Sequence, residues 1–394
     1  KELAELASRE MGKTLKEAIA EIEKCHRLIA FYEKNFKELF SEKSVSEKGL
    51  EADVVLEPLG TIVGVMPWNF PYWQVFRFAV PTILAGNTVL LKHAANTLGC
   101  AQSIEKLFKE ADAPEGLFAH IIASHDDIKT LLGDNRVKGV SLTGSTKAGR
   151  VIGELAGRYL KKSVLELGGS DPYVILADAD IEVAIDKCVQ SRLINNGQSC
   201  IAAKRFIVHE SLFDVFLEGM KKRFESKVLG NPLSSDTDIG PLARKDLKEE
   251  IESQIDRAIE AGATLVEVTH RQPQKGFFMS PKILTGIGPQ NPIFKKELFG
   301  PVAMVFPFDA EQEALQLANL SPFGLGAAIF SRDTEKAYHF AVHDLQAGMV
   351  AINDIVRSDP RVPFGGVKSS GYGRELGRFG HLEFANIKTI IKGS

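Results

Sequence analysis

The sequence predicts an α/β fold built from parallel sheets that are covered by helices. Its 394 residues, 44% of them hydrophobic and 25% charged, supply enough apolar side chains for a large core and for more than one domain. From Gly60 onward, short β-rich runs alternate with amphipathic helices, which is typical of βαβ units. A second alternating stretch follows Gly168, so the sequence predicts a second α/β domain.

The chain opens with two predicted helices. Residues 1–12 carry their apolar side chains on one helical face, and Thr14 followed by Glu17 fits a capping box at the start of a helix that extends to Phe40. The chain begins with Lys1 inside a helical pattern, so we expect its natural start to be missing.

The two alternating stretches contain the remaining predicted elements. We predict strands at 61–65, 88–92, 120–123, 140–143, 164–167, 173–176 and 205–208, and helices at 97–111, 148–160, 181–194, 211–227 and 243–261. The Gly-rich segment 365–373 is predicted to be a loop that approaches another group closely.

The net charge and the cysteine content argue against several classes of protein. A net charge of -3 offers no basic field for nucleic acid or anionic lipid. Four cysteines without a C-x-x-C pair indicate a reducing compartment, and no signal peptide or membrane-spanning run is found, so we expect a cytoplasmic protein. No His, Cys, Asp or Glu cluster has metal-ligand spacing, so we expect no metal site.

Three residues are candidates for catalysis, and each has a plain structural alternative. Cys200 ends the run NGQSC (196–200), although an isolated cysteine is more often an inert apolar residue. Glu166 lies at the end of a β-rich run, where a sheet edge can open on a crevice, although a solvated strand-end carboxylate would look the same. Asn69 lies in PWNFP (67–71), and asparagine is also common in structural turns.

A fourth segment is a candidate phosphate site. GSTKAG (144–149) joins a β-rich run to a helix, the setting in which backbone N–H groups and a helix N-terminus bind phosphate. It matches neither a P-loop nor G-x-G-x-x-G, so the general dinucleotide signal is weak.

Seven motifs in order make the chain resemble the aldehyde dehydrogenase superfamily over essentially its whole length. They are PWNFP (67–71), LK (91–92), TGS (143–145), LELGG (165–169), GQSC (197–200), ELFGP (297–301) and PFGG (363–366).

That resemblance implies an NAD- or NADP-dependent enzyme that oxidises an aldehyde to a carboxylic acid through a cysteine thioester. Cys200 would be the nucleophile, Glu166 the general base and the Asn69 side chain a donor to the oxyanion. The residues expected to contact the cofactor are Met66, Pro67, Trp68, Lys92, Ala95, Gly144, Ser145, Leu167, Glu297 and Phe299.

The resemblance also implies a domain organisation. A Rossmann-like coenzyme domain would comprise 1–49 and 60–168, with 369–383 returning to it, and an α/β catalytic domain would comprise 169–368. A small strand extension, 50–59 with 384–394, would build a homodimer or homotetramer. The expected partners are therefore a small aldehyde and further copies of the chain, with no nucleic acid and no membrane.

Two positions depart from the common family pattern. Ala95 stands where many members carry a glutamate that repels a 2′-phosphate, so we expect NADP to be usable. Phe78 stands where many members carry a lysine that relays protons with a distal glutamate, although Glu375 matches that glutamate. The sequence therefore does not support a relay of that form.

Within the superfamily the sequence looks most like the succinate-semialdehyde dehydrogenases. Arg77, eight residues after Asn69, resembles the arginine that holds the substrate carboxylate there. Ile194 replaces a second such arginine, for which we expect Arg192 to substitute, and we expect Ser358 to add a hydrogen bond.

Two other functions remain open. A CoA-acylating relative would lack a water-activating glutamate, and a non-catalytic structural member would be expected to lose the nucleophile or the base. The chain keeps both Cys200 and Glu166.

Overall fold

The computed structural model describes residues 1–41, 43–271 and 273–393. They form two compact units, which we name after one residue in each. The Cys200 unit contains Lys1–Ile19, Leu167–Arg357 and Gly366–Ser370. The Glu166 unit contains the described residues of Ala20–Glu166 and Ser358–Gly365 and those from Gly371 onward.

The helices and strands are numbered in chain order. The helices are α1 (Glu2–Met11), α2 (Leu15–Leu39), α3 (Trp73–Leu84), α4 (Leu98–Glu110), α5 (His125–Gly133), α6 (Thr146–Arg158), α7 (Ile181–Leu193), α8 (Glu210–Glu225), α9 (Lys245–Glu260), α10 (Glu311–Asn319), α11 (Thr334–His343) and α12 (Gly377–Gly380). The strands are β1 (Lys43–Glu47), β2 (Leu50–Pro58), β3 (Thr61–Met66), β4 (Thr88–His93), β5 (Phe118–Ile121), β6 (Val137–Thr143), β7 (Lys162–Glu166), β8 (Pro172–Ile175), β9 (Arg205–His209), β10 (Thr264–Val266), β11 (Lys282–Thr285), β12 (Val302–Phe308), β13 (Phe323–Gly324), β14 (Gly326–Phe330), β15 (Met349–Ile352), β16 (Val367–Lys368), β17 (Gly371–Tyr372) and β18 (Ala385–Lys392).

The main sheet of the Glu166 unit has the strand order β17-β7-β6-β3-β4-β5. All neighbours pair in parallel except β17, which runs antiparallel to β7. The first strand, β3, lies in the centre, β4 and β5 extend the sheet on one side, and β6 and β7 extend it on the other. This is the Rossmann order, and ligands bind such sheets beyond the carboxyl ends of the strands where the order reverses.

The strand extension is a separate antiparallel sheet of the Glu166 unit. Its order is β1-β2-β18, and β18 pairs with β2 along eight residue pairs from Ala385 to Lys392. Every residue of β1 is exposed, as is β18 beyond Ala385. Both predicted segments, 50–59 and 384–394, therefore contain strands. Ser394, the last residue of the second segment, lies outside the described residues. Their oligomerising function stays a prediction.

The main sheet of the Cys200 unit has the order β10-β11-β12-β9-β8-β14-β15 and is parallel except between β10 and β11. Successive residues of a strand point to opposite faces, so a sheet covered on both sides needs continuous apolar runs. In β8, Val174 packs in one core cluster with Ile251 of α9, whereas Tyr173 packs in another with Ile185 of α7 and Phe216 of α8. The α/β fold class with two sheet-based parts is confirmed.

The structure divides the N-terminal region differently from the predicted boundaries. The prediction placed 1–49 in the coenzyme domain, but residues 1–19 group with the Cys200 unit. The Glu17 carboxylate accepts from the Asn195 N–H at 2.6 Å, and the Gly12 carbonyl accepts from the Asn196 side chain at 3.1 Å. The capping box is confirmed, because the Glu17 N–H donates to Thr14 Oγ1 at 3.3 Å.

The bounds of several predicted elements were wrong. The strand predicted at 140–143 begins at Val137, and the helix predicted at 148–160 is Thr146–Arg158. The strand predicted at 120–123 lies at Phe118–Ile121, and the loop predicted at 365–373 contains the short strands β16 and β17. Across the described residues, none of the helices combines the length and the apolar character needed to traverse a bilayer.

Candidate active site

Cys200 follows a strained turn at the end of α7. Asn195 and Asn196 both have a φ of 57°, and Gly197 has a φ of 76°. A Cβ atom at position 197 would lie 2.4 Å from the carbonyl carbon of Gly300, so only glycine fits there. Asn195 and Asn196 are held by the N-terminal contacts given above, and Asn196 also accepts from the Gly240 N–H at 2.9 Å. The turn that leads to the thiol is therefore fixed by its surroundings.

The cysteines differ in their exposure. Cys25, Cys100 and Cys188 are buried, whereas Cys200 is partly exposed. Burial raises the pKa of the Cys188 thiol well above its usual range, which makes that thiol unreactive. Cys200 is thus the thiol that a substrate can reach.

A buried lysine braces the backbone at Cys200. Lys204 is fully buried, and its Nζ donates to the carbonyls of Ser199 at 2.8 Å and Cys200 at 2.7 Å. The same ammonium lies 3.5 Å from the Glu297 carboxylate. Burial lowers the pKa of Lys204, and the negative charge of Glu297 opposes that shift. The sequence analysis did not select Lys204, although two adjacent cations, Lys204 and Arg205, inside an apolar run were a signal of buried charge.

Glu297 joins the Cys200 turn to the LELGG motif. Its Oε1 accepts from the Gly169 N–H at 3.0 Å, and its side chain is 19% exposed. A Cβ atom at position 168 would lie 2.3 Å from Glu297 Oε2, which explains a glycine there. Burial raises the pKa of Glu297, and Lys204 opposes the rise. Glu297, Phe299 and Leu167 all belong to the Cys200 unit, and their predicted cofactor contacts stay predictions.

Arg192 lies beneath the same turn. It is fully buried, and its Nη2 donates to the Gly197 carbonyl at 2.6 Å. Burial lowers its pKa to about 9. Arg192 therefore stabilises the turn. Its predicted contact with the substrate stays a prediction, and this hydrogen bond does not support it.

Glu166 lies at the carboxyl end of β7 in the Glu166 unit. Its side chain is 2% exposed, and within the described part of the chain neither carboxylate oxygen has a hydrogen-bond partner. A Cβ atom at position 365 would lie 2.7 Å from Glu166 Oε1, so the glycine of PFGG leaves space for this carboxyl group. The solvated strand-end alternative does not hold, because the group is buried.

A buried ion pair lies near Glu166. The Arg77 Nε pairs with the Glu375 carboxylate, and their side chains are 3% and 5% exposed. Glu375 Oε1 also accepts from Ser141 Oγ at 3.3 Å, while Arg77 Nη2 faces Thr143 Oγ1 at 3.4 Å. The Arg77 guanidinium lies 4.3 Å from the centre of the Phe364 ring. Arg77 thus has an internal counter-ion, which the sequence analysis did not foresee.

Burial and the neighbouring charges shift the pKa of Glu166. Burial raises the pKa of Glu166 well above its usual range, the negative charge of Glu375 raises it further, and Arg77 opposes both. Burial also raises the pKa of Glu375, while its bond to Arg77 lowers it. A carboxyl group in such surroundings suits proton transfer near neutral pH.

The other predicted residues of the Glu166 unit lie at the carboxyl ends of its parallel strands. Met66 ends β3, Asn69 follows it and is buried, and Lys92 lies near the end of β4. Pro67 and Trp68 follow Met66 directly, Ala95 begins a short 3-10 turn after β4, and Gly144 and Ser145 follow β6.

These residues fit a dinucleotide. Met66, Pro67, Trp68, Gly144 and Ser145 end or follow β3 and β6, between which the strand order reverses and where Rossmann sheets bind such ligands, and Lys92 and Ala95 lie at the end of the adjacent strand β4. Ser145 caps the 13-residue helix α6, whose free N–H groups can face a phosphate. The side-chain oxygen of Ser145 accepts from the Ala148 N–H at 3.2 Å. Burial lowers the pKa of Lys92.

The structure thus groups the predicted residues into two sets. Cys200, Arg192, Leu167, Glu297 and Phe299 belong to the Cys200 unit. The rest belong to the Glu166 unit, namely Asn69, Arg77, Glu166, Ser358, Met66, Pro67, Trp68, Lys92, Ala95, Gly144 and Ser145.

Comparison with known proteins gives consistent matches. Residues 1–390 match the family described as the aldehyde dehydrogenase family. A probable succinate-semialdehyde dehydrogenase (NADP(+)) of Synechocystis sp. is 44% identical over 389 residues, covering 99% of this chain and 86% of that protein. Succinate semialdehyde dehydrogenase (NAD(P)+) Sad of Escherichia coli strain K12 is 43% identical over 391 residues, covering 99% and 84%.

A solved structure is also similar. Succinic semialdehyde dehydrogenase from Streptococcus pyogenes, in complex with NADP+, has a TM-score of 0.96 and 38% identity, covering 99% of this chain and 85% of that one. The family resemblance and the expected class of enzyme are thereby confirmed. Because the match extends over residues 1–390 and the similarity includes both units, the chain belongs to the aldehyde dehydrogenase family.

Proposed function

We propose that this enzyme oxidises succinate semialdehyde to succinate with NADP or NAD, through a thioester on Cys200. The observation that carries the chemistry is Glu166, a buried carboxyl group with a raised pKa and space kept for it by Gly365. A CoA-acylating enzyme has no need of a base that activates water. The names of the relatives from Synechocystis sp. and Escherichia coli support the substrate.

The first half of the reaction forms the thioester. The Cys200 thiolate attacks the aldehyde carbon, and the Asn69 amide and the Cys200 N–H donate to the oxyanion. One such donor typically contributes about 10²–10³-fold in rate. The bound nicotinamide supplies the acceptor for the hydride that leaves the same carbon. Lys204 and Arg192 hold the carbonyls around Cys200 and so keep its backbone N–H in place.

The second half hydrolyses the thioester. Glu166 takes a proton from water, the resulting hydroxide attacks the acyl carbon, and the thiolate of Cys200 leaves with the carbon–sulfur electron pair. The products are the carboxylic acid and a free enzyme thiolate, with one water consumed.

For the cofactor, we propose Lys92 and Glu297 as ribose contacts and Phe299 as a contact near the nicotinamide ribose. Ala95 is exposed and carries no charge, so it supplies no like charge against a 2′-phosphate. The relatives named for NADP(+) and NAD(P)+ support a site that accepts NADP.

For assembly and location, we propose a homodimer or homotetramer in the cytoplasm. The exposed β1-β2-β18 sheet supports oligomerisation, because exposed strand edges are templates for pairing. Light scattering on the purified protein measures the number of subunits, and a monomer at micromolar concentration would refute the assembly.

The activity is tested by NADPH and NADH formation with succinate semialdehyde, butyraldehyde and acetaldehyde, each with and without CoA. We expect the semialdehyde to have the highest kcat/KM and CoA to have no effect. Strict dependence on CoA would establish the acylating alternative, and no reduced cofactor with any aldehyde would favour the structural one.

A further inference from the structure

His93 is a buried histidine at the carboxyl end of β4, and the proposed reaction gives it no part. It follows Lys92, a predicted cofactor contact, and is 2% exposed. A buried imidazole needs hydrogen-bond partners for both ring nitrogens, because an unpaired polar atom in the interior costs free energy. His93 finds these partners in two different loops of the Glu166 unit.

One ring nitrogen bonds the PWNFP motif. His93 Nε2 lies 2.9 Å from the Pro71 carbonyl oxygen. A carbonyl can only accept, so Nε2 carries the proton and donates it. Pro71 follows shortly after Asn69, the proposed oxyanion donor. Because proline also restricts its own φ, this bond limits the freedom of the backbone that carries the Asn69 side chain.

The other ring nitrogen bonds the turn that follows β4. The Ala94 N–H donates to His93 Nδ1 at 2.8 Å, and Thr97 Oγ1 lies 2.9 Å from the same nitrogen. Thr97 is fully buried and ends the short 3-10 turn that begins at Ala95, another predicted cofactor contact. His93 Nδ1 therefore holds the turn at which the 2′-phosphate of NADP is expected.

The two sets of partners select one form of the imidazole. A backbone N–H can only donate, so Nδ1 is unprotonated, while the Pro71 carbonyl requires a proton on Nε2. Burial lowers the pKa of His93 to about 4, and its bond to Pro71 opposes that shift. The positive charges of His120 and Lys92 lower the pKa further. His93 is thus neutral near pH 7, with its donor and its acceptor fixed.

We propose that His93 is a positioning residue, which fixes the loop of Asn69 through Nε2 and the cofactor turn at 94–97 through Nδ1. The neutral ring thereby keeps the oxyanion donor and the cofactor contacts at the end of β4 in fixed positions relative to each other. The role is indirect, because His93 acts through Asn69 and Ala95. This inference rests on the proposed function, since the oxyanion and NADP belong to that reaction.

Two substitutions separate the two bonds, because each keeps the position of one ring nitrogen. His93→Asn places an amide oxygen near the position of Nδ1 and leaves the Pro71 carbonyl without its donor. His93→Gln places an amide N–H near the position of Nε2 and leaves the Ala94 N–H without its acceptor. Two quantities are measured: the rate of the NADPH burst with succinate semialdehyde at saturating NADP, and the dissociation constant of NADP from a fluorescence titration without aldehyde.

We expect the two variants to lose different properties. His93→Asn should slow the burst by roughly tenfold to a hundredfold, because a small displacement of a reacting group lowers the rate that much, and should leave the dissociation constant of NADP nearly unchanged. His93→Gln should raise that dissociation constant by roughly tenfold, because a turn without its acceptor shifts away from the ribose, and should keep the burst rate.

Two further variants show whether a loss of stability explains the effects. Thr97→Val nearly keeps the shape of the side chain and removes only the bond to His93 Nδ1, so it should weaken NADP binding without slowing the burst. His381→Gln is the matched control, at another buried histidine of the Glu166 unit, whose Nδ1 donates to the Gly377 carbonyl at 3.2 Å. It should lower the free energy of unfolding and change neither the burst rate nor the affinity for NADP.

The outcomes distinguish the role of His93 from the proposed reaction. Equal losses in His93→Asn and His93→Gln, no loss in either, or the two effects exchanged would each overturn the inference. If neither variant folds, Thr97→Val decides, and an unchanged dissociation constant of NADP would overturn it. A wild type that forms no NADPH with any aldehyde contradicts the proposed reaction instead, while NADP binding still tests the turn.

Discussion

Replacing Glu375 with glutamine tests how the buried charges of the Glu166 unit act together. The substitution keeps the size of the side chain, and its amide oxygen can still accept from Ser141 Oγ. What is lost is the negative charge that pairs with Arg77. The guanidinium is 3% exposed, so it stays buried without a counter-ion. Breaking such a pair on one side typically costs about 3–5 kcal/mol.

Two contacts place the expected loss at the lower end of that range. Arg77 keeps its position over the Phe364 ring and its approach to Thr143 Oγ1. We therefore expect the free energy of unfolding to fall by about 3 kcal/mol, measured by urea denaturation. Ser141→Ala is the matched control, since it removes one hydrogen bond to the same carboxylate and should cost about 1 kcal/mol.

The same substitution should change the pH profile of turnover. Glu375 raises the pKa of Glu166, and Arg77 lowers it. Glu375→Gln removes the negative charge that raises this pKa and leaves the positive charge of Arg77 without its counter-ion. Both changes lower the pKa of Glu166. Because the base acts in its ionised form, the rising limb of the deacylation rate should move to lower pH. A limb that stays in place, or moves to higher pH, would refute the coupling of these groups.

Four further outcomes are expected. Glu166→Gln should give a burst of NADPH followed by slow turnover, and no burst would point to a structural role for Glu166. The stability of this variant relative to the wild type should also increase as pH rises above 4.5, because a carboxyl group whose pKa is raised in the folded state makes the wild type less stable once the unfolded chain ionises. Lys204→Met should lower the acylation rate, and normal acylation would show that its bonds to the Ser199 and Cys200 carbonyls are dispensable. With Ala95 in place, kcat/KM for NADP should at least equal that for NAD, and a hundredfold preference for NAD would show that another group excludes the phosphate.

The sequence predicted the central strands well because their apolar runs are long. Strands β3 and β4 were predicted to within one residue at each end, whereas β6 begins at Val137, three residues before its predicted start. The edge strand β5 was displaced by two residues. Ile122 extended the apolar run but is 76% exposed, whereas Phe118 is buried and stacks on Phe108 at 4.5 Å. Propensity at a sheet edge could not distinguish these two positions.

The candidate catalytic residues could be predicted by motif, but their electrostatic surroundings could not. Arg77 was expected to face the substrate, and its pairing with Glu375 depends on a tertiary contact between distant parts of the sequence. Lys24 appeared only as one lysine of an amphipathic helix, and its bond to Ser358 is likewise a tertiary contact. Periodicity indicates which face of an element is buried, but it does not indicate which charges meet there.

The covalent intermediate on Cys200 is the central claim, and trapping it is the most direct test. Glu166→Gln enzyme is mixed with succinate semialdehyde and NADP, quenched in acid within one turnover and digested for mass spectrometry. We predict that the peptide containing Cys200 gains the mass of the succinyl group in proportion to the NADPH burst, and that Cys200→Ala gives neither burst nor adduct. A burst without an adduct, or an adduct on Cys25, Cys100 or Cys188, would contradict the account.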